Sequence, residues 1–161
     1  MNLTIRPARR GDEPLILEFI RGLAEYEKLA HECIATEADL TRSLFSDEPA
    51  AEVVIAYDGA VPVGFALYFH SYSTFLARKG LYLEDLFVPP EHRGRGVGLA
   101  LLAHLARIAV ERGCGRMEWS VLDWNDSAIG FYRKIGAQAM DDWTVFRLTG
   151  ETLARLAENA T

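Results

Sequence analysis

The stretch most suited to chemistry is Val88-Pro89-Pro90-Glu91-His92-Arg93-Gly94-Arg95-Gly96-Val97-Gly98-Leu99. An apolar strand pattern ends at paired prolines, a glycine-rich turn follows, and a helical pattern begins. Such a junction points several backbone N–H groups at one spot, where the helix dipole is also positive. Gly94, Gly96 and Gly98 permit tight turning and the close approach of an anion, and Arg93 and Arg95 add charge. Three phosphate motifs compete. A P-loop ends in Gly-Lys-Ser/Thr, where this chain has Gly98-Leu99-Ala100. A dinucleotide fingerprint counted from Gly94 needs glycine at position 99, which is Leu99, and it belongs to the first βα unit of a parallel sheet. Arg-x-x-Gly-x-Gly, read as Arg93, Gly96 and Gly98, fits without adjustment.

The elements that must position this loop follow from the apolar pattern. Leu3 to Pro7 alternates as a short strand. A helix starts at Gly11-Asp12-Glu13-Pro14, with Asp12 as N-cap, and its apolar face runs to about Leu29. Thr36-Glu37-Ala38-Asp39 is a near capping box for a second helix ending about Phe45. Glu52 to Tyr57 and Val61 to His70 are strands joined by the hairpin turn Asp58-Gly59, and a third runs from about Gly80 to Val88. The loop then opens a helix from about Val97 to Arg112, closed by Gly113. Met117 to Leu122 is a strand, Asn125 caps a helix from Asp126 to about Ile135, Trp143 to Leu148 is a last strand, and Glu151 to Ala157 is a short helix. The expected fold is α+β, one domain over residues 1–161, with a mixed, mostly antiparallel sheet flanked by helices. Trp124 and Trp143 read as core residues.

Composition narrows the function classes. The net charge is −6, which argues against a nucleic-acid partner and mildly favours a cationic substrate. Cys33 and Cys114 match no metal or redox spacing and read as reduced cysteines. His31, His70, His92 and His104 lack ligand spacing, so no metal is expected. No apolar signal core opens the chain, and the stretch Leu99 to Val110 is too short and too interrupted to span a bilayer. A cytoplasmic protein without a membrane partner is expected.

The strand Leu81 to Val88 followed by Arg-x-x-Gly-x-Gly resembles the acyl-CoA-binding core of the GNAT acetyltransferase superfamily. Leu23-Ala24-Glu25-Tyr26-Glu27-Lys28-Leu29, Tyr82-Leu83-Glu84-Asp85-Leu86, and Asp123-Trp124-Asn125 with Phe131-Tyr132-Arg133-Lys134 resemble its diamine acetyltransferase branch, which takes in spermidine/spermine and thialysine acetyltransferases. The resemblance implies a GNAT fold, acetyl-CoA as cosubstrate, a small cationic amine as acceptor, and a homodimer. It implies that backbone groups of Leu86, Phe87 and Val88 pair with the pantetheine arm as an added strand would. Arg93, Gly94, Arg95, Gly96, Val97, Gly98 and Leu99 would hold the pyrophosphate, and Asn125, Asp126, Ser127 and Ala128 would flank the cofactor from the other side. Tyr132 matches the family's catalytic tyrosine, and Tyr26, Glu27 and Glu84 match substrate-contacting positions. The stretch Ala137 to Trp143 looks shorter than in the eukaryotic enzymes, so a further acidic contact falls on Asp141 or Asp142.

Amine acylation needs a neutral nucleophile. An alkyl amine of pKa roughly 10.4 must lose a proton, at a cost of roughly 4.6 kcal/mol at neutral pH. Glu84, amid Leu83, Leu86 and Phe87, can bind the ammonium and take that proton, while strand alternation sends Asp85 to the other face. Tyr132 can return a proton to the departing thiolate, and Tyr26 beside Glu27 suits a cationic chain. Two other functions stay open: a peptide- or protein-acting acetyltransferase of the same fold, and a CoA-binding module without turnover. The alternating strand Met117 to Val121 could support the dimer.

Overall fold

Residues 53–57 and 63–69 are apolar at nearly every position, the pattern of strands covered on both faces. The computed structural model, which describes residues 1–161, turns them into the centre of a five-stranded sheet. Two compact units are seen, Met1–Leu122 and Asp123–Thr161, and each is described by itself.

In the first unit the order is β1 (Leu3–Pro7), α1 (Glu13–Tyr26), α2 (Glu37–Leu44), β2 (Glu52–Asp58), β3 (Val61–Ser73), β4 (Arg78–Phe87), α3 (Val97–Glu111) and β5 (Met117–Trp119). Short 3-10 turns lie at Ala30–Glu32 and Pro90–His92. The sheet runs β1-β2-β3-β4-β5. Neighbours from β1 to β4 are antiparallel, and β5 joins β4 in parallel. The mixed, mostly antiparallel sheet is therefore as expected.

Helices α1 and α2 cover one face. Ile16, Leu17 and Phe19 of α1 and Leu40 of α2 pack with Val53, Ile55, Phe65 and Phe87. Helix α3 covers the other face. A Cβ on Gly64 would lie 3.2 Å from Val97 and 3.3 Å from Leu101, so glycine on β3 lets α3 come close.

Local chemistry sets the helix ends. Thr36 and Asp39 form a full capping box, each side chain accepting the other's backbone N–H, at 3.2 and 2.9 Å. Asp12 takes the N-cap place of α1, but its side chain is paired with Arg6 at 2.8 Å and makes no cap bond. Glu13 reaches back to the Gly11 N–H instead, at 2.6 Å. Helix α1 stops at Tyr26, short of the expected Leu29. Lys28 adopts φ 63° and the last carbonyls close on Lys28 and Leu29, a Schellman ending without its usual glycine. No glycine signals that stop.

The second unit holds α4 (Asp126–Lys134) and α5 (Gly150–Ala157). Asn125 caps α4 as expected, its side-chain oxygen accepting from the Ala128 N–H at 3.3 Å. The expected strand at Trp143 to Leu148 is absent; the segment has no ladder partner. Alternation prepares a strand but does not make one without a neighbour to pair with. Trp124 and Trp143 are not core residues either, at 46% and 77% exposure.

Candidate active site

The phosphate loop folds as its glycines demand. Gly94 and Gly96 have φ of 73° and 83°, a region that side chains resist, and Gly96 is the N-cap of α3. Gly98 has neither a positive φ nor a crowding neighbour, because a Cβ there would meet nothing within 4 Å. The chain itself therefore does not require that glycine, and the open approach suits an outside group. The first N–H groups of α3, including those of Val97, Gly98 and Leu99, have no carbonyl one turn earlier within the helix. Backbone donors and dipole together fit a pyrophosphate.

The two arginines of the loop are engaged elsewhere. Arg95 pairs with Asp58 of the β2–β3 hairpin at 2.7 Å, which helps hold Asp58 below the usual carboxylate range, after the larger effect of the Asn2 N–H bonded to it. Arg93 donates through Nε to the Val88 carbonyl at 2.8 Å and lies over the rings of Tyr26 and Phe87. Both guanidiniums thus have partners within the protein.

Upstream, β4 carries the carboxylates. The β3–β4 register pairs Leu67 with Asp85 and Tyr68 with Leu83, leaving Glu84 as the extra residue of a bulge. Leu67 packs against the α1 side of the sheet, so Asp85 opposite it faces that side too. Tyr82, against Phe69 at 5.1 Å between ring centres, is also on that side, and two residues on the chain returns Glu84 towards it. The bulge thus brings Glu84 and Asp85 to one face, where simple alternation would have parted them. The expectation that Asp85 turns to the other face is corrected by this single inserted residue.

Glu27, at the end of α1, completes the group. Burial, then the Asp85–Glu84 and Asp85–Glu27 repulsions, push the Asp85 carboxyl up from its ordinary 3.8 to about 6. Burial first, and then Glu84, raises Glu27. Three carboxylates on one face, one of them largely desolvated, can attract a cation and accept a proton at neutral pH. Tight packing places α1 for this: a Cβ on Gly22 would sit 2.6 Å from the Phe87 ring, so glycine lets the helix press onto the end of β4.

Beside Phe87, α1 and the β4 exit border an open cleft of about 410 Å³. Four glutamates line it, Glu18, Glu25, Glu37 and Glu91, against one arginine, Arg21. In the second unit, Tyr132 lies on α4 with its ring 5.7 Å from that of Phe131. Asp126 sits in the first turn of the same helix, behind the Asn125 cap. Asp141 and Asp142 fall in a turn beyond α4.

Residues 20–137 match the acetyltransferase (GNAT) family model. The chain belongs to the GNAT acetyltransferase family. It is 40% identical to the thialysine N-epsilon-acetyltransferase of Bos taurus, across 95% of this chain and 96% of that one. It is 33% identical to an L-ornithine N5-acetyltransferase of Arabidopsis thaliana, across 92% of this chain and 85% of the other. An integron cassette protein from the mobile metagenome of V. cholerae superposes with a TM-score of 0.82 at 29% identity, covering 99% of each chain. This acetyltransferase is accordingly an N-acetyltransferase enzyme, and acetyl-CoA is the cosubstrate of its family.

The loop, Glu84 and Glu27 were candidates from the sequence, and the structure brings Glu27 within electrostatic reach of Glu84. Sequence reasoning missed Asp85, because a bulge leaves no local signature, and it missed Gly22, whose position on an apolar helix face was the available signal.

Proposed function

We propose that this acetyltransferase moves the acetyl group of acetyl-CoA to a primary amine of a small cationic substrate, a diamine or a thialysine-like amino acid. The observation that carries the acceptor side is the bulge that turns Glu84 and Asp85 to the face where Glu27 ends α1. The names of the bovine and Arabidopsis relatives, which refer to amino acids with a side-chain amine, support the same class.

Each part of the site then has a role. Acetyl-CoA supplies a thioester carbon open to attack. The backbone amides of Gly94 to Leu99 hold the pyrophosphate. Backbone groups of Leu86, Phe87 and Val88 pair with the pantetheine arm, and Asn125, Asp126, Ser127 and Ala128 flank it. Glu27 and Glu84, with the Tyr26 ring, receive the ammonium. Asp85, acting with Glu84, takes its proton. For an amine of pKa roughly 10.4, transfer to a carboxyl near 6 is uphill by roughly 6 kcal/mol, about 3 kcal/mol less than to one at its ordinary value. The amine nitrogen bonds the carbonyl carbon, the carbon–sulfur bond breaks, the Tyr132 hydroxyl gives the leaving thiolate its proton, and the remaining proton shed by the nitrogen as it becomes an amide restores that hydroxyl. The cytoplasm suits this chemistry, and no helix is long and apolar enough to cross a membrane. A homodimer is part of the proposal, as the resemblance to the diamine acetyltransferase branch implies.

The test is release of free CoA thiol with spermidine, ornithine, lysine, thialysine and short peptides as acceptors. Turnover with the small amines and not with peptides is expected. Turnover with peptides alone would replace the small-amine reading.

A further inference from the structure

Arg93 belongs to the phosphate motif by sequence, yet its guanidinium is occupied on the side of the amine-binding residues. Its carbon lies 4.7 Å from the centre of the Tyr26 ring and 5.6 Å from that of Phe87, and its Nε donates to the Val88 carbonyl at 2.8 Å. One planar cation thus joins the last residue of α1 to the last residue of β4 and to the carbonyl just beyond it. Glu27 follows Tyr26 directly and feels the charge of Glu84, and Asp85 lies two residues before Phe87. The neighbouring Arg95 is held on Asp58 of the hairpin. Only a guanidinium can stack its face on rings and donate from its edge together; a lysine ammonium can do one or the other.

We propose that Arg93 is a positioning residue for the amine acceptor: its guanidinium clamps the Tyr26 ring against the Phe87 end of β4 and so sets Glu27 beside Glu84 and Asp85. The motif arginine then serves the acceptor side, while the backbone amides of the loop serve the donor. The inference rests on the reading that Tyr26 and Glu27 border the amine site.

Steady-state kinetics with the amine and acetyl-CoA varied separately, and calorimetry with CoA, decide it for Arg93→Ala, Arg93→Lys, Tyr26→Leu and the double variant Arg93→Ala with Tyr26→Leu. Loss of a partly exposed cation–ring contact and its hydrogen bond should raise the amine KM about three- to tenfold in Arg93→Ala. The Kd for CoA should change less than about twofold, which also reports a folded loop, since the amides are untouched. Arg93→Lys, which keeps the charge, should leave CoA binding intact and rescue the amine KM only in part. The double variant should be no worse than the poorer single one. A CoA Kd raised in Arg93→Ala and restored in Arg93→Lys, with amine KM unmoved, would make Arg93 an anion ligand and overturn the proposal. Additive effects in the double variant would overturn it too. If Tyr26→Leu leaves the amine KM unchanged, the placement of the amine beside Tyr26 fails, and the role of Arg93 fails with it. If Tyr26→Leu raises it and Arg93→Ala does not, the role of Arg93 fails alone.

Discussion

Replacing Asp85 by asparagine removes a charge from a desolvated carboxyl with Glu84 and Glu27 as neighbours while keeping its shape. The wild-type carboxyl is raised from 3.8 to about 6, so the folded state binds this proton more tightly than the unfolded chain does. Its contribution to stability is complete below pH 3.8 and is lost as pH rises through about 6. Above that, the buried charge costs up to roughly 3 kcal/mol. Asp85→Asn escapes this cost, so it should be more stable than wild type at pH 8 by up to about 3 kcal/mol, or about 6–12 °C in Tm for a chain of this size. The difference should shrink steadily below pH 6 and vanish near pH 4. Thermal melts followed by circular dichroism across that range measure it. The same variant should lose most of its turnover at neutral pH, and wild-type kcat/KM should rise through an apparent pKa near 6 that belongs to the coupled carboxylates. Equal melting temperatures at pH 8, or a difference that does not change with pH, would refute the buried-charge reasoning.

Other outcomes follow from single contacts. Gly96→Ala forces a side chain to φ 83°, so CoA affinity measured by calorimetry should fall about tenfold while the fold survives, since nothing lies within 4 Å of the new methyl. Glu13, 8% exposed, accepts from the Gly11 N–H and the Thr41 hydroxyl at 2.9 Å; Glu13→Ala should cost about 1–3 kcal/mol in urea unfolding. Arg112 forks onto both oxygens of Glu52 at 2.6 and 2.9 Å and holds that carboxyl below its ordinary range. The stability it confers is present above the unfolded carboxyl's pKa and lost as pH falls through the lower folded value. Glu52→Gln should therefore cost about 1 kcal/mol near pH 7, and melts repeated in acid should find that difference gone.

Much of this architecture was legible in the sequence for physical reasons. Asp58-Gly59 allows little but a hairpin, Thr36 with Asp39 makes its cap, and Gly94 and Gly96 after the paired prolines make the left-handed turn that opens α3. What escaped depends on partners distant in the chain. The bulge at Glu84 exists only against Leu67 and Tyr68, so alternation alone sent Asp85 to the wrong face. The stacking of Arg93 on Tyr26 and Phe87 leaves no mark in the motif that contains it. The segment from Trp143 to Leu148 has a strand's pattern but no neighbour to complete it. Local signals thus fix caps, turns and loops, while long-range pairing decides which side chains share a face.

The central claim is acetyl transfer to a small amine with the carboxylates of the β4 bulge receiving the proton. Mass spectrometry of thialysine, lysine and ornithine after incubation with acetyl-CoA tests it most directly, with wild type, Glu84→Gln and Asp85→Asn compared at equal CoA occupancy. Acetylation of the side-chain amine by wild type, with a large loss in both variants, is the predicted result. Tight CoA binding with no acetylated amine, or variants as active as wild type, would contradict it.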